Sequence, residues 1–179
     1  MPAARETLLE AAGAALSARP WPSVRMVDVA AAAGVSRQTL YNEFGGKGGL
    51  GRALIRRESE WYLDGVERAL STPAPTSQRL AAVAEWTVRA ARTHPLVRAL
   101  LTGFWEPGLP AAGRAPGPGE LARAVRDRAA AALMPAQDAQ RCELAVRLAL
   151  SYVVAPGEEP GAGELLRLLS AQNRTAAAR

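Results

Sequence analysis

The sequence predicts an all-α protein with a three-helix N-terminal head, built around a helix-turn-helix, and a longer C-terminal helical domain. Three observations predict it. Ala, Leu, Arg and Glu dominate, and no period-two alternation of β-branched residues is present. Proline and glycine clusters interrupt the chain at helix-length intervals. Between residues 29 and 44, two short helical patterns flank Gly34-Val35-Ser36.

The elements follow in order. A first helix spans about residues 3–18 with Leu8, Leu9, Ala12 and Leu16 as its apolar stripe. Arg19-Pro20-Trp21-Pro22 ends it, because proline cannot continue the ladder, and Trp21 is expected to cap a small core. A short helix covers about 26–33, and Ser36 opens another that runs to about Phe44. The run Gly45-Gly46-Lys47-Gly48-Gly49 is read as a break before a long helix at 50–70. After the Ser71–Pro75 linker come helices at 76–93 and from Pro95 to about 102, then a Gly/Pro-rich mobile loop at 107–119. Helices at 120–134 and 138–154, a loop at 156–163, a last short helix at 164–171 and a fraying tail complete the chain. The expected domains are 1–57 and 58–179.

Charge is concentrated in the head. The whole chain carries a net charge of +5, and its first 57 residues hold eight basic against four acidic side chains. A local positive field of that kind attracts phosphates, and it also suits a plain solvated surface. Cys142 is the only cysteine, so no intramolecular disulfide forms. Glu6 and Glu10 interrupt the apolar N-terminus, which argues against a secretory segment, and no stretch approaches the roughly 18 apolar residues of a membrane span. A soluble, cytoplasmic protein without membrane contact is expected.

The turn carries the main functional inference. Alanines on the first helix let a second cross closely, Gly34 can adopt the positive φ of a tight turn, and Val35 fills the angle. Leu40 and Phe44, four apart, pack inward. Arg37, Gln38, Thr39, Tyr41 and Asn42 are left outside with hydrogen-bonding groups suited to base edges and phosphates. Val29, Ala30, Ala33, Gly34, Val35, Ser36, Leu40, Tyr41, Phe44, Lys47 and Leu50, in this order and spacing, closely resemble the DNA-binding domain of the TetR family of bacterial regulators. The resemblance covers about residues 4–57. It implies a homodimeric transcriptional regulator of double-stranded DNA, with Tyr41 and Lys47 on phosphates and Arg37, Gln38, Thr39 and Asn42 facing the groove. Ser36 caps that helix, and Arg25 stands where the family often has threonine, within reach of a phosphate; Ser23 is expected to cap the second helix instead. Gly49 replaces the family's usual acidic residue, so a looser start to the fourth helix is expected. Tyr41 has a second reading as a half-buried packing residue.

Several features point nowhere. Residues 46–51 satisfy G-x-G-x-x-G, but a helix precedes them where a dinucleotide site needs a strand. His94 is the only histidine, which leaves no metal pair or catalytic triad, and Cys142 is expected to be packing. No enzyme activity, cofactor or metal is expected.

In the C-terminal half, Gln140, Glu143, Arg147 and Ser151 form one polar stripe on a helix that is otherwise widely apolar. Such a helix must be covered on two sides, so Leu121, Val125, Leu144, Leu148 and Tyr152 are the expected dimer interface. A central helix of a monomer is the other reading. Trp61, Trp86, Phe104 and Trp105 supply most of the rings outside the head; with Arg89 and His94 they are the expected lining of a pocket for a small, mainly apolar effector. The same rings are equally suited to filling a core. The resulting picture is a repressor released from a near-palindromic operator by a ligand that favours wrongly spaced heads, with helix 50–70 as lever. A ligand-free or activating regulator is the alternative, and a small all-helical enzyme the alternative of another class.

Overall fold

The computed structural model describes residues 2–133 and 137–155. The readings at 156–163 and 164–171, and the tail, fall outside these residues. All described regular structure is helical: α1 Pro2–Ala18, a 3₁₀ turn Trp21–Ser23, α2 Met26–Ala32, α3 Arg37–Phe44, α4 Lys47–Ser71, α5 Thr76–Thr93, α6 Pro95–Thr102, α7 Pro118–Ala132 and α8 Gln137–Val154. Most bounds lie within two residues of those expected. The exception is α4, which starts at Lys47 and takes Gly48 and Gly49 into its first turn. The break is therefore confined to Gly45 and Gly46, which both take positive φ between α3 and α4. A Cβ on Gly49 would collide with the carbonyl of Phe44, so glycine is what lets α4 begin this close to the end of α3.

The chain forms two compact units. One holds the residues up to Ser59 together with Trp105–Ala115; the other holds Glu60–Phe104 and the described residues from Pro116 on. Helix α4 contributes to both. In the first unit α1 packs on α2 and α3. Leu8, Leu9, Ala12, Trp21, Val29, Leu40, Leu50 and Leu54 are buried there. Leu16, at the end of the expected stripe, is only half-buried. The stretch read as a mobile loop of the C-terminal half belongs in part to this unit: the backbone N–H of Trp21 donates to Gly108 O at 2.7 Å. A Cβ on Gly51 would sit 3.0 Å from Pro110 Cβ.

In the second unit α5 packs chiefly on α8, and α8 on α7. Leu80, Val83, Ala84 and Thr87 face inward from α5. Tyr62 is fully buried, its hydroxyl hydrogen-bonded to that of Thr87 at 3.0 Å, and Thr87 in turn donates to Val83 O. Burial raises the phenol well above its ordinary range. Cys142 is buried packing, and burial pushes its thiol up to about 12, so it is an unreactive thiol at neutral pH.

Candidate nucleic-acid interface

Helix α2 ends where its alanines run into Gly34, which takes φ 66°. Gly34 N–H donates to Ala31 O at 3.1 Å and Val35 N–H to Ala30 O at 3.0 Å, satisfying two of the orphan carbonyls at the helix end. Ser36 then opens α3 in extended conformation, and its Oγ accepts from Thr39 N–H at 3.0 Å. Leu40 and Phe44 are buried beneath α3. Arg5 fastens the far end of that helix: it lies 4.7 Å from the Phe44 ring centroid and 3.5 Å from the Glu43 carboxylate.

This framework leaves one row of side chains outward. Ser36, Arg37, Gln38, Tyr41 and Asn42 are exposed, and Thr39 is half-buried. The row is organised without DNA. Gln38 Nε2 donates to Asn42 Oδ1 at 2.8 Å, the Ser36 and Thr39 hydroxyls are 2.8 Å apart, and Arg37 lies 5.4 Å from the centroid of the Tyr41 ring. Tyr41 is 36% exposed, so its ring is accessible from outside and partly covered by the head.

Lys47 stands at the first turn of α4. Its Nζ donates to Pro22 O at 2.8 Å and lies 5.6 Å from the Trp21 ring centroid. An ammonium has three donors, so two remain. Arg25 is the N-cap residue of α2, with no side-chain cap; Ser23 lies in the 3₁₀ turn and does not replace it. Instead Arg25 makes two hydrogen bonds, 3.0 and 2.9 Å, to Asp28 in the first turn of α2, and Arg19 approaches the same carboxylate at 3.7 Å. The Arg25 hydrogen bonds hold Asp28 below the usual carboxylate range and raise the guanidinium. A phosphate at Arg25 must compete with Asp28.

The second unit places the expected effector residues unevenly. Trp61 stacks on His94 with centroids 4.0 Å apart and lies 4.7 Å from Trp86. Arg89 and Arg68 lie 5.3 and 5.9 Å from the Trp86 ring, and its indole N–H donates to Tyr62 O at 3.0 Å. An open cleft of about 310 Å³ runs along Trp86 between α4 and α5, lined also by Gly65, Arg68, Glu85 and Arg89. Of the other expected lining residues, Phe104 and Trp105 fall apart by unit. Phe104 is 69% exposed, and Trp105 belongs to the first unit, where its indole N–H donates to Pro110 O at 2.6 Å. Neither ring lines the cleft. Sequence reasoning missed Arg68 and Gly65. The signal was Gly65 itself: glycine inside a helix costs about 1 kcal/mol against alanine and marks a close approach, here that of the Trp86 indole.

The expected dimer residues also divide. Leu121 and Val125 are 1% and 0% exposed within the chain itself, so no partner can reach them. They belong to the inward stripe of α7, with Ala129. On α8, Cys142, Ala145, Val146, Ala149 and Val153 face the chain's own core, while Leu144 is 48% exposed and Leu148 and Tyr152 are half-buried. The last three lie four apart on one face. Arg147 and Arg126 pair with Glu143, so that polar stripe is stapled at the edge of the face.

A helix-turn-helix head with an organised outward row, carried on a helical domain, defines a DNA-binding regulator of helix-turn-helix type. The family model "Bacterial regulatory proteins, tetR family" matches residues 8–54. The HTH-type transcriptional regulator AlkX of Mycobacterium tuberculosis is 34% identical over 93% of this chain and 83% of that protein. The chain belongs to the TetR family, and it is a DNA-binding transcriptional regulator. It is similar in structure to the TetR family repressor AlkX of Dietzia sp. strain DQ12-45-1b, implicated in biodegradation of n-alkanes, with TM-score 0.60 and 25% identity over 96% of each chain. A TetR-family regulator from Streptomyces coelicolor shares the fold at TM-score 0.61 and 22% identity, over 99% of this chain and 83% of that one. Regulators of this family bind DNA and usually act as dimers with small-molecule effectors. Among the described residues no helix is long and apolar enough to cross a membrane.

Proposed function

We propose that this regulator is a repressor: a homodimer that holds a near-palindromic operator through α3 and releases it when a small, mainly apolar effector binds. The outward row Arg37, Gln38, Thr39, Tyr41 and Asn42, fixed over Leu40 and Phe44, is the observation that carries the reading. Its polar groups suit base edges and phosphates, and two copies of α3 related by a two-fold axis would read two half-sites. Lys47, Tyr41 and Arg25 are assigned to phosphates; Arg37, Gln38, Thr39 and Asn42 to the groove, with the Ser36 cap holding the helix end. The partner copy meets the Leu144, Leu148 and Tyr152 face of α8.

Lys47→Ala tests the DNA assignment. It should weaken binding to every duplex and reduce the slope of log affinity against log salt by about 1.8 per dimer, about 0.9 for each of the two symmetric phosphate contacts. Titrations at several salt concentrations measure both. A change in base preference at one operator position, with the salt slope intact, would contradict the assignment.

The Dietzia repressor's part in n-alkane biodegradation supports both repression and an apolar effector here. The effector residues are Trp86, Trp61, His94 and Arg89, which the fold brings together, with Arg68 beside them. Wild-type operator affinity should fall on addition of a medium-chain n-alkane, and Trp86→Ala should lose that response while keeping ligand-free affinity. A wild type indifferent to the alkane removes the effector assignment; a Trp86→Ala variant that no longer binds DNA marks the ring as core.

A further inference from the structure

Residues 105–115 lie far in sequence from the helix-turn-helix and yet belong to its compact unit. They form a strap with a defined shape. The Trp105 indole N–H donates to Pro110 O at 2.6 Å, and Pro110 is buried. Gly108 O takes the backbone N–H of Trp21 at 2.7 Å. A Cβ on Gly51 would lie 3.0 Å from Pro110 Cβ and 3.4 Å from Trp21 Cζ2, so strap, indole and the first turns of α4 are in close packing. Trp21 is only 7% exposed as a result.

The next contact outward is Lys47. Its Nζ lies 5.6 Å from the Trp21 ring centroid and donates to the carbonyl of the adjacent Pro22 at 2.8 Å. A lysine stem is long and flexible, and a lysine already held near its bound position loses less freedom when it meets a phosphate. The strap fixes Trp21, and Trp21 with Pro22 fixes the ammonium.

We propose that the strap Trp105–Ala115 positions Lys47 for DNA by holding Trp21, so that Trp105 and Pro110 are positioning residues for operator binding although neither lies in the helix-turn-helix. This rests on the reading of Lys47 as a phosphate contact. The strap's effect on DNA is then transmitted through one side chain, and Lys47 is where it disappears.

A double-mutant cycle on the full-length chain tests this. Trp105→Phe keeps a ring and removes the donor to Pro110 O. It should lower operator affinity by about three- to tenfold, the range of coupled neighbours, with base preference unchanged. In the Lys47→Ala background the same substitution should lower affinity no further. Pro110→Ala serves as the second strap variant, and thermal unfolding shows which variants are folded at the assay temperature. Equal fold-losses in both backgrounds would make the strap a general support of the head and overturn the proposal, as would unchanged affinity of folded Trp105→Phe and Pro110→Ala variants in the Lys47 background. If Lys47→Ala alone leaves affinity and salt dependence untouched, the phosphate reading fails and the proposal falls with it, an outcome distinct from additivity.

Discussion

Leu148→Glu is expected to give a monomer whose operator affinity is reduced about a thousandfold or more, toward sequence-independent binding. Leu148 sits at the centre of the α8 face, between the exposed Leu144 and the half-buried Tyr152. In a symmetric dimer the substitution places two carboxylates in one apolar contact. Each loses solvation on the order of several kcal/mol without a counter-charge opposite. The fold of the monomer should survive, because the core-facing side of α8 is formed by Cys142, Ala145, Val146, Ala149 and Val153. Light scattering at micromolar concentration, with circular dichroism as the control for folding, measures the outcome. A wild type already monomeric there, or a Leu148→Glu variant still dimeric, contradicts the assignment of this face.

Gly49→Ala is expected to destabilise the head, against the intrinsic preference of the helix. Propensity alone favours alanine by about 1 kcal/mol. The added Cβ would collide with the carbonyl oxygen and carbon of Phe44, and backbone cannot swing aside as a side chain does. Overpacking of this kind costs about 1–3 kcal/mol and sometimes more, so the steric effect wins. Relief requires moving the end of α3 or the start of α4, which carries Phe44 and Lys47, so DNA affinity should fall with stability. Thermal unfolding should show a midpoint lowered by several degrees, at about 2–4 °C per kcal/mol for a chain of this size. An unchanged or raised midpoint would show that the two segments separate freely.

These two sites also show what sequence reading reaches. The helix-turn-helix was legible because its constraints are local: Gly34 is needed for φ, Ser36 for the free N–H of Thr39, and Leu40 with Phe44 for one inward face. The start of α4 was not. Four glycines around Lys47 read as one break, which only Gly45 and Gly46 make; the reason for Gly49 lies in the Phe44 carbonyl and the reason for Gly51 in Trp21 and Pro110. The Gly/Pro-rich composition of 107–119 matched irregular backbone as far as Gly117, after which α7 begins, but composition carries nothing about what such a segment packs against. Periodicity found the apolar stripes of α7 and α8 and could not say which belonged to the chain's own core, so Leu121 and Val125 were grouped with Leu144 and Leu148. The aromatic cluster was half legible for the same reason. Trp61, Trp86 and His94 meet, whereas Trp105, next in sequence to Phe104, lies in the other unit.

The central claim is that two copies of this chain read a symmetric operator through α3. Selection of bound duplexes from a random-sequence pool by the wild-type protein, in the absence of effector, tests it most directly. The enriched sequences should contain an inverted repeat whose half-sites are centred about one helical turn apart, roughly 10–10.5 base pairs, or a multiple of that spacing. Enrichment of a single unrepeated half-site, or no enrichment over the starting pool, would contradict it.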